Sequence, residues 1–590
     1  MIAYMCKYAP MEIIESFGTP VIMLEPKVTN FTQADTLMHP NICSYVKAVL
    51  EDFDNNNYEG MLFTTCCDSS RRLYDTLKKR YPDRFFFCMD LPRKINDFAI
   101  SLYEAQIRQL IEAYAAFSGK TFSMDHLIKR CLTEHDMLTK KQELIAGGKL
   151  PQPNYDLHIC LAGARPGSEI KHLIMEHGAE IALDLTCTGI VRDYEIDPEH
   201  ALTSYARILL EQIPCMRMNT VEERDRLLHD RTDKLDGIIY HTVKFCDIYS
   251  YEYARLKDTC GLPILKIETD ATSQCAGQIL TRVEAFLESL QVRKGNRACK
   301  ACLADGVMPS PRLSREDVAA DQIFEHRKKG NVPMYVLGID SGSTSTNAVI
   351  MNEKKEIITS AVLRTGAKSG ESAERILQEV LEKANLKRKD IDLIVSTGYG
   401  RVSIPFADKN VTEISCHGKG AHFLNPSIRT ILDIGGQDSK AIRLNEKGDV
   451  IDFVMNDKCA AGTGRFLEMM ARTLEISIDE LGPISLQSKE SIEISSMCSV
   501  FAESEVISLI AQNKETADIA HGIHNAIAGK AISLMKRVGL EKGYMMTGGV
   551  AKNPGVVQVL EEQLGAPLFI YEEPEIVGAV GAALFGIESL

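Results

Sequence analysis

The sequence predicts an α/β protein built in two halves, and three observations carry that prediction. Short apolar strands alternate with amphipathic helical stretches, the pattern of parallel βαβ units. A strand running into Cys-Asp and then a helix occurs twice in the first half, at 58–79 and 235–258. A polar stretch at 293–333, dotted with Gly and Pro, separates that half from a new strand pattern opening at MYVLGIDSGSTSTNAVIM. The expected organisation is therefore 1–292 (subdomains about 1–150 and 151–292), a linker over 293–333, and 334–590.

Bulk properties narrow the class. A chain of 590 residues has room for three to five domains at ~100–200 residues each. Its 45% hydrophobic content is that of a packed globular protein. A net charge of −14 argues against general nucleic-acid binding. No segment reaches the ~18 consecutive apolar residues of a membrane span, and MIAYMCKYAP lacks the basic and apolar regions of a secretory signal. A cytoplasmic protein with neither nucleic-acid nor membrane partner is expected.

Seventeen cysteines and no tryptophan are unusual, and fourteen of the cysteines precede residue 303. A reducing cytosol does not maintain structural disulfides. A single cysteine is most often a buried thiol, so the informative ones are those in patterns.

The first half is such a pattern. Cys67, Asp68, Tyr74, Leu77 and Lys78 align with Cys246, Asp247, Tyr253, Leu256 and Lys257, the preceding strands differing by a two-residue slip. Upstream, residues 5–24 pair with 159–183 as strand, cysteine-containing stretch, helix and strand. Between these, NICSYVKAVL carries Cys43 and IPCMRMN carries Cys215. The reading is two Rossmann-like parallel-sheet subdomains facing each other, joined by a helical segment near 98–146. Ligands bind beyond the carboxyl ends of such strands, and core packing does not need the same strand-end cysteine twice. Cys6, Cys43 and Cys67 from one repeat, with Cys187, Cys215 and Cys246 from the other, then give three thiolates per side. Soft sulfur donors select iron–sulfur clusters or zinc. Cys66 competes with Cys67 for its role. Cys160, the repeat partner of Cys6, competes with Cys6 and with Cys187. Cys299 and Cys302 form a lone CxxC, evenly divided between an incidental pair and a redox or metal clip. Cys88, Cys131, Cys260 and Cys275 read as buried thiols.

The second half holds three glycine turns. The first, after a strand, has Asp340, Gly342, Ser343, Thr344 and Ser345; the second has Asp433, Gly435, Gly436, Gln437 and Asp438; the third has Thr547, Gly548, Gly549 and Val550. Small residues let backbone N–H groups approach phosphates, and hydroxyls add donors. Asp340 is placed to hold Mg²⁺ through water. Gln437 or Asp438 is the candidate catalytic residue that orients an attacking water. GxxxxGK[ST] is absent, so this is not a Walker A site. IVGAVGAALFG (576–586) reads as a small-residue helix that packs tightly. In VMNDKCAAGTGRFLE (454–468), Cys459 precedes a glycine turn and a helix start, where the helix dipole favours a thiolate.

The motifs IDSGSTSTNA, STGYGR, DIGGQDSK, NDKCAAGTGRF and SSMCSVFAESEV make residues 334–590 resemble the acetate-kinase/actin/hsp70 ATPase superfamily. More narrowly, they resemble the activator (archerase) components of 2-hydroxyacyl-CoA dehydratases and the ATPase subunits of benzoyl-CoA reductases. The resemblance implies two ribonuclease-H-like lobes closing on ATP. It also implies a 4Fe-4S cluster shared across a homodimer through Cys459 and Cys498 of each chain, loaded by reduced ferredoxin or flavodoxin. Two thiolates cannot hold a four-iron cube, which is why a second chain is required.

CKYAPMEII, CSYVKAVL, CDSSRRLYD, CTG, KFCDIYSYE and IETDATSQCAGQILTRVEAFLE make residues 1–292 resemble the dehydratase subunits served by such activators, and the double-cubane cluster proteins of the same superfamily. Dehydratases use two different such subunits, and this chain supplies one. Six patterned cysteines fit an 8Fe-9S double-cubane cluster better than a second single 4Fe-4S cube, which needs three. The implied activity is ATP-driven, low-potential electron transfer from the dimer-bridging cluster to the N-terminal one, with reduction of a small-molecule substrate. The alternatives are a 2-hydroxyacyl-CoA dehydratase system acting on a CoA thioester and a non-redox, kinase-like ATPase.

Overall fold

Two four-stranded parallel sheets with one shared strand order build the N-terminal part of the protein. The first holds β1 (Ile2–Tyr4), β2 (Val21–Met23), β3 (Gly60–Thr64) and β4 (Phe85–Met89) in the order β2-β1-β3-β4. The second holds β5 (Leu157–Gly163), β6 (Ala179–Thr186), β7 (Gly237–Val243) and β8 (Ile264–Thr269) in the order β6-β5-β7-β8. Every pairing in both is parallel. The sequence repeat is thus a repeat of topology. β3 and β7 are buried along their whole length, as expected of parallel strands covered on both faces. β7 is two residues longer at its start, yet both strands end three residues before their cysteine. The slip falls at the end remote from the thiols.

The computed structural model describes residues 1–146, 155–190, 192, 194–272, 276–305, 333–366, 368–456, 460–494 and 499–590. It separates into two compact units, Met1–Leu290 and Gln291–Leu590. Within the first unit, helices Asp97–Ser118 and Met124–Ala146 form the segment between the two repeats. One apolar cluster spans both repeats, placing Val49 and Phe53 with Ala162, Leu183 and Tyr240. The helix Ala276–Asp305 runs past residue 293, where the linker was expected to begin, and carries the backbone of Cys299 and Cys302. Residues 306–332 of that linker lie outside the described residues.

The second unit contains two five-stranded sheets, again of one topology. The first lobe orders β9 (Tyr335–Ser341), β10 (Ser345–Asn352), β11 (Ile357–Arg364), β12 (Leu393–Thr397) and β13 (Lys409–Asn410) as β11-β10-β9-β12-β13. The second orders β14 (Thr430–Ile434), β15 (Ser439–Leu444), β16 (Val450–Asn456), β17 (Tyr544–Thr547) and β18 (Leu568–Phe569) as β16-β15-β14-β17-β18. In each lobe the first three strands are antiparallel and the last two join in parallel. This is the expected ribonuclease-H-like lobe, present twice. The small-residue helix Val577–Ser589 packs backbone-to-backbone on helix Glu413–Leu424. A β-carbon on Gly581 would lie 1.8 Å from the Cys416 carbonyl oxygen, so only glycine allows the crossing. Among the described residues no helix is long and apolar enough to cross a membrane.

Candidate functional site

Cys67 and Cys246 are the N-caps of helices Asp68–Arg80 and Asp247–Thr259, and Cys43 caps Ser44–Asn55. A helix N-terminus offers unpaired N–H groups and the positive end of the dipole, both favourable to a thiolate. The Ser70 amide donates to Cys67 Sγ at 3.4 Å. Phe245, just before Cys246, sits at φ 65°, a left-handed conformation that costs a side-chain-bearing residue about 1–2 kcal/mol. That strain turns the strand sharply into the helix at the thiol. Cys6 follows β1, Cys187 follows β6, and Cys215 lies between helices Ala201–Leu210 and Val221–His229.

All six cysteines, with Cys66, line one cleft in the first unit. About 610 Å³ between these side chains is free of protein atoms, open solvent included. Cys160 does not line it. It lies inside β5 and is fully buried in the core, so of the rivals considered, Cys6 and Cys187 face the cleft and Cys160 does not. Cys66 and Cys67 both do. Counting from the strand ends, the second repeat places Arg165 where the first has Cys6. Among the described residues, Arg165 and Arg217 are the cations lining the cleft, joined by the rings of Tyr8, Tyr45 and Tyr249, and no carboxylate lines it. The sequence reading singled out none of these five residues, although Tyr8, Tyr45 and Tyr249 lie within the motifs CKYAPMEII, CSYVKAVL and KFCDIYSYE.

The thiols differ in charge. Hydrogen bonds from Cys6 and Cys67 hold Cys66 well below the ordinary thiol range. Donating to Cys66, and burial, push Cys6 up. Burial pushes Cys187 up to about 11 and raises Cys43 and Cys246. Most of these thiols are therefore neutral at pH 7, and binding a metal group would release their protons. Among the described residues no three His, Cys, Asp or Glu groups converge as a single ion requires, with Zn–S bonds of about 2.3 Å. An all-sulfur set spread along a cleft suits a larger, sulfur-bridged group of soft metals.

A buried polar network fixes the loops that carry these thiols. Arg192 Nη1 donates to Glu12 Oε1 at 2.7 Å, and Tyr194 and Tyr205 donate to the same carboxylate at 3.1 and 2.5 Å. Arg192 also donates to the Lys7 carbonyl. Lys7 Nζ donates to the Gly189 and Ile213 carbonyls at 3.2 and 2.7 Å. The stretch after Cys6 is thereby tied to those around Cys187 and Cys215. The Cys215 amide donates to Tyr8 Oη at 3.1 Å.

In the second unit, Asp340 is the next-to-last residue of the first-lobe strand β9, and Asp433 holds the same place in β14, its counterpart in the second lobe. His417 lies between them, with Nε2 3.7 Å from Asp340 Oδ2 and Nδ1 3.9 Å from Asp433 Oδ1. Lys440 Nζ reaches Asp438 at 2.9 Å, Asp433 at 3.2 Å and Glu413 at 3.6 Å. Thr547 Oγ1 donates to Asp433 at 2.9 Å. Burial alone would raise Asp433, but His417, Lys440 and Thr547 outweigh it and hold the carboxyl at about 2. Burial likewise opposes protonation of His417, and the two aspartates outweigh it, to about 9. Burial raises Glu413 to about 7, against Lys440. Two carboxylates meeting from two lobes suit a divalent cation. His417, Lys440 and Glu413 were not foreseen from sequence.

The three glycine turns come together here. Gly342 N donates to Ser345 O at 2.9 Å, closing the first. A β-carbon on Gly436 would lie 1.8 Å from Thr344 Oγ1, so the second turn abuts the first. Gly548, at φ 83°, begins the third beside Asp433, and Gly549 and Val550 follow in a 3-10 turn. Ser341 Oγ and Thr344 Oγ1 are buried without partners among the described residues, which fits hydroxyls awaiting phosphate oxygens. Gln437 is exposed, whereas Asp438 is engaged by Lys440. An open cleft of about 950 Å³, solvent included, rises from Ser343 and Thr344 past Arg364, Arg465, Glu468 and Arg472. Its three arginines suit a polyphosphate. The amides of Gly464 and Arg465 donate to the carbonyls of Gly435 and Gly436 at 2.9 and 3.0 Å. Helix Gly464–Thr473 therefore starts on the second glycine turn, five residues after Cys459 in sequence. Cys459 and Cys498 themselves lie outside the described residues.

Comparison with known proteins follows the same division. Residues 337–586 match the BadF/BadG/BcrA/BcrD ATPase family. Residues 6–144 and 128–290 match the 2-hydroxyglutaryl-CoA dehydratase D-component. The chain is 49% identical over 256 residues to the activator of lactoyl-CoA dehydratase from Anaerotignum propionicum, covering 43% of this chain and 98% of that one. It is 46% identical over 253 residues to the (R)-2-hydroxyglutaryl-CoA dehydratase activating ATPase from Acidaminococcus fermentans, covering 43% and 96%. It is also 24% identical over 340 residues to the (R)-phenyllactyl-CoA dehydratase beta subunit from Clostridium sporogenes, covering 48% and 90%.

Proposed function

Starting from a chain that belongs to the BadF/BadG/BcrA/BcrD ATPase family and carries a dehydratase D-component half, we propose that it couples ATP hydrolysis to low-potential electron transfer into its own thiol cleft. There a small molecule is reduced. The observation that carries this reading is the gathering of Cys6, Cys43, Cys67, Cys187, Cys215 and Cys246, with Cys66, around one cleft. An iron–sulfur group held by them, an 8Fe-9S double cubane or a second 4Fe-4S, would supply single electrons at low potential.

The chain's own residues divide the remaining work. Asp340 and Asp433 hold Mg²⁺, and Ser343, Thr344, Gly435, Gly436, Gly548 and Gly549 cradle the nucleotide. Gln437 is free to orient the attacking water, because Asp438 is held by Lys440. The bonds from Gly464 and Arg465 to the phosphate turn transmit lobe closure to the Cys459 segment. Cys459 and Cys498 bind a 4Fe-4S cluster shared with a second copy of the chain, loaded by reduced ferredoxin or flavodoxin. Placing activator and acceptor on one chain raises their effective concentration.

Iron and sulfide counts on anaerobically purified protein test the reading. About two irons per chain at the shared site and four to eight in the cleft are expected; fewer than about four in total would overturn it. A 2-hydroxyacyl-CoA dehydratase reading is favoured by the D-component match. Turnover of hydroxyacyl-CoA thioesters, with and without an added partner subunit, separates it from reduction of another small molecule.

A further inference from the structure

We propose that Arg165 and Arg217 are the charge-compensating residues of the thiol cleft and set the reduction potential of the iron–sulfur group bound there. This rests on the iron–sulfur reading above. Among the described residues, seven thiols and two guanidiniums line the cleft, without a carboxylate. Among the described residues neither arginine has an acidic ion-pair partner, and Arg217 Nε is buried without an acceptor. A charge drawn out of water needs an opposite charge, and among the described residues lining the cleft the groups able to supply one are thiols and tyrosine hydroxyls. The two arginines sit among overlapping groups of cleft side chains: Cys67, Cys66, Tyr249 and Cys246 favour the charged Arg217, and Tyr45, Cys187, Cys6 and Cys66 the charged Arg165. Both are held in place. The Arg165 guanidinium lies 4.2 Å from the Tyr45 ring centroid, and the Arg217 carbonyl accepts from Arg93 Nη1 at 3.1 Å. Arg165 stands at the strand-end position that bears Cys6 in the other repeat. One repeat thus gives a ligand where the other gives a cation.

Net charge and hydrogen bonding to sulfur are what tune such potentials. Reduction adds one electron and breaks no bond, so a nearby positive charge favours the reduced state. A unit charge about 10 Å away at an effective dielectric near 20 shifts that equilibrium by about tenfold, about 59 mV for a one-electron couple.

The test uses the full-length chain in a Cys459→Ala background, so that the cleft group is observed alone. Iron is counted first, and the midpoint is then followed by electron paramagnetic resonance during dithionite titration. Arg217→Gln is expected to lower the midpoint by about 59 mV, Arg165→Gln to add to that shift, and Arg217→Lys to restore it. Iron lost from Arg217→Gln but retained in Arg217→Lys would support the proposal too. It is overturned if the glutamine variants keep their iron with an unmoved midpoint, or if the lysine variant behaves like the glutamine one. An iron-free parent chain would instead overturn the iron–sulfur reading, and this proposal with it.

Discussion

Replacing Arg192 with methionine should cost the N-terminal unit about 3 kcal/mol. Arg192 and Glu12 are 1% and 0% exposed at their side chains, with Nη1 and Oε1 2.7 Å apart. Breaking such a buried pair typically costs about 3–5 kcal/mol, because the remaining charge is stranded. Here the Tyr194 and Tyr205 hydroxyls still donate to Glu12, which offsets part of that and favours the low end. Methionine keeps much of the volume, so a cavity adds little. The assay is hydrogen exchange along a urea series in the full chain, read on peptides from 1–290. Those around Cys6 and Cys187 should open first, since Arg192 also holds the Lys7 carbonyl. Arg192→Met combined with Glu12→Gln should recover at least half of the loss. A cost below about 1 kcal/mol for Arg192→Met, or no recovery in the double variant, would refute this electrostatic account.

Other outcomes follow from the second unit. His417 is held at about 9, above its ordinary value of about 6.5, so its contribution, about 3 kcal/mol, is complete below pH 6.5 and lost as pH rises through 9. The nucleotide-free unit should melt progressively earlier over that window, less so in His417→Gln; a rise in melting temperature would contradict the assignment. Asp433, held at about 2, loses its contribution only on acidification toward pH 2 and does not mask the trend. Gly436→Val forces side-chain atoms onto Thr344 and should weaken binding of a fluorescent ATP analogue at least tenfold, about 1.4 kcal/mol; unchanged affinity would remove Gly436 from the nucleotide site. Cys459→Ala should abolish the shared cluster while leaving that affinity intact, and a parallel loss of nucleotide binding would count against Cys459 as a cluster ligand.

How much of this was legible in the sequence depended on whether the physics was local. The Cys-Asp repeat could be read because a strand end, an N-cap and a helix are contiguous in the chain. The structure places both cysteines at one offset from their strands. The glycine turns were legible for the same reason. Arg165, Arg217, His417 and Glu413 were not, because each is a single charged residue whose meaning comes from neighbours distant in sequence; Lys440 lies within the quoted DIGGQDSK, but its contact with Glu413 joins it to a distant helix. Cys160 misled because sequence alignment pairs it with Cys6, whereas the strand continues three residues further, to Gly163, and buries it. Helix Ala276–Asp305 overruns the expected boundary at 293 because VRKGNRACKACLAD, although polar, contains no proline and has a single glycine to oppose helix propagation.

The most direct test of the central claim is to mix anaerobically purified full-length protein with a reduced ferredoxin and follow the cleft signal by electron paramagnetic resonance, with and without MgATP. The account predicts that the cleft group is reduced only when ATP is hydrolysed, and that Cys459→Ala abolishes this while leaving the cleft iron in place. Reduction to the same extent without ATP, or in the Cys459→Ala variant, would contradict it.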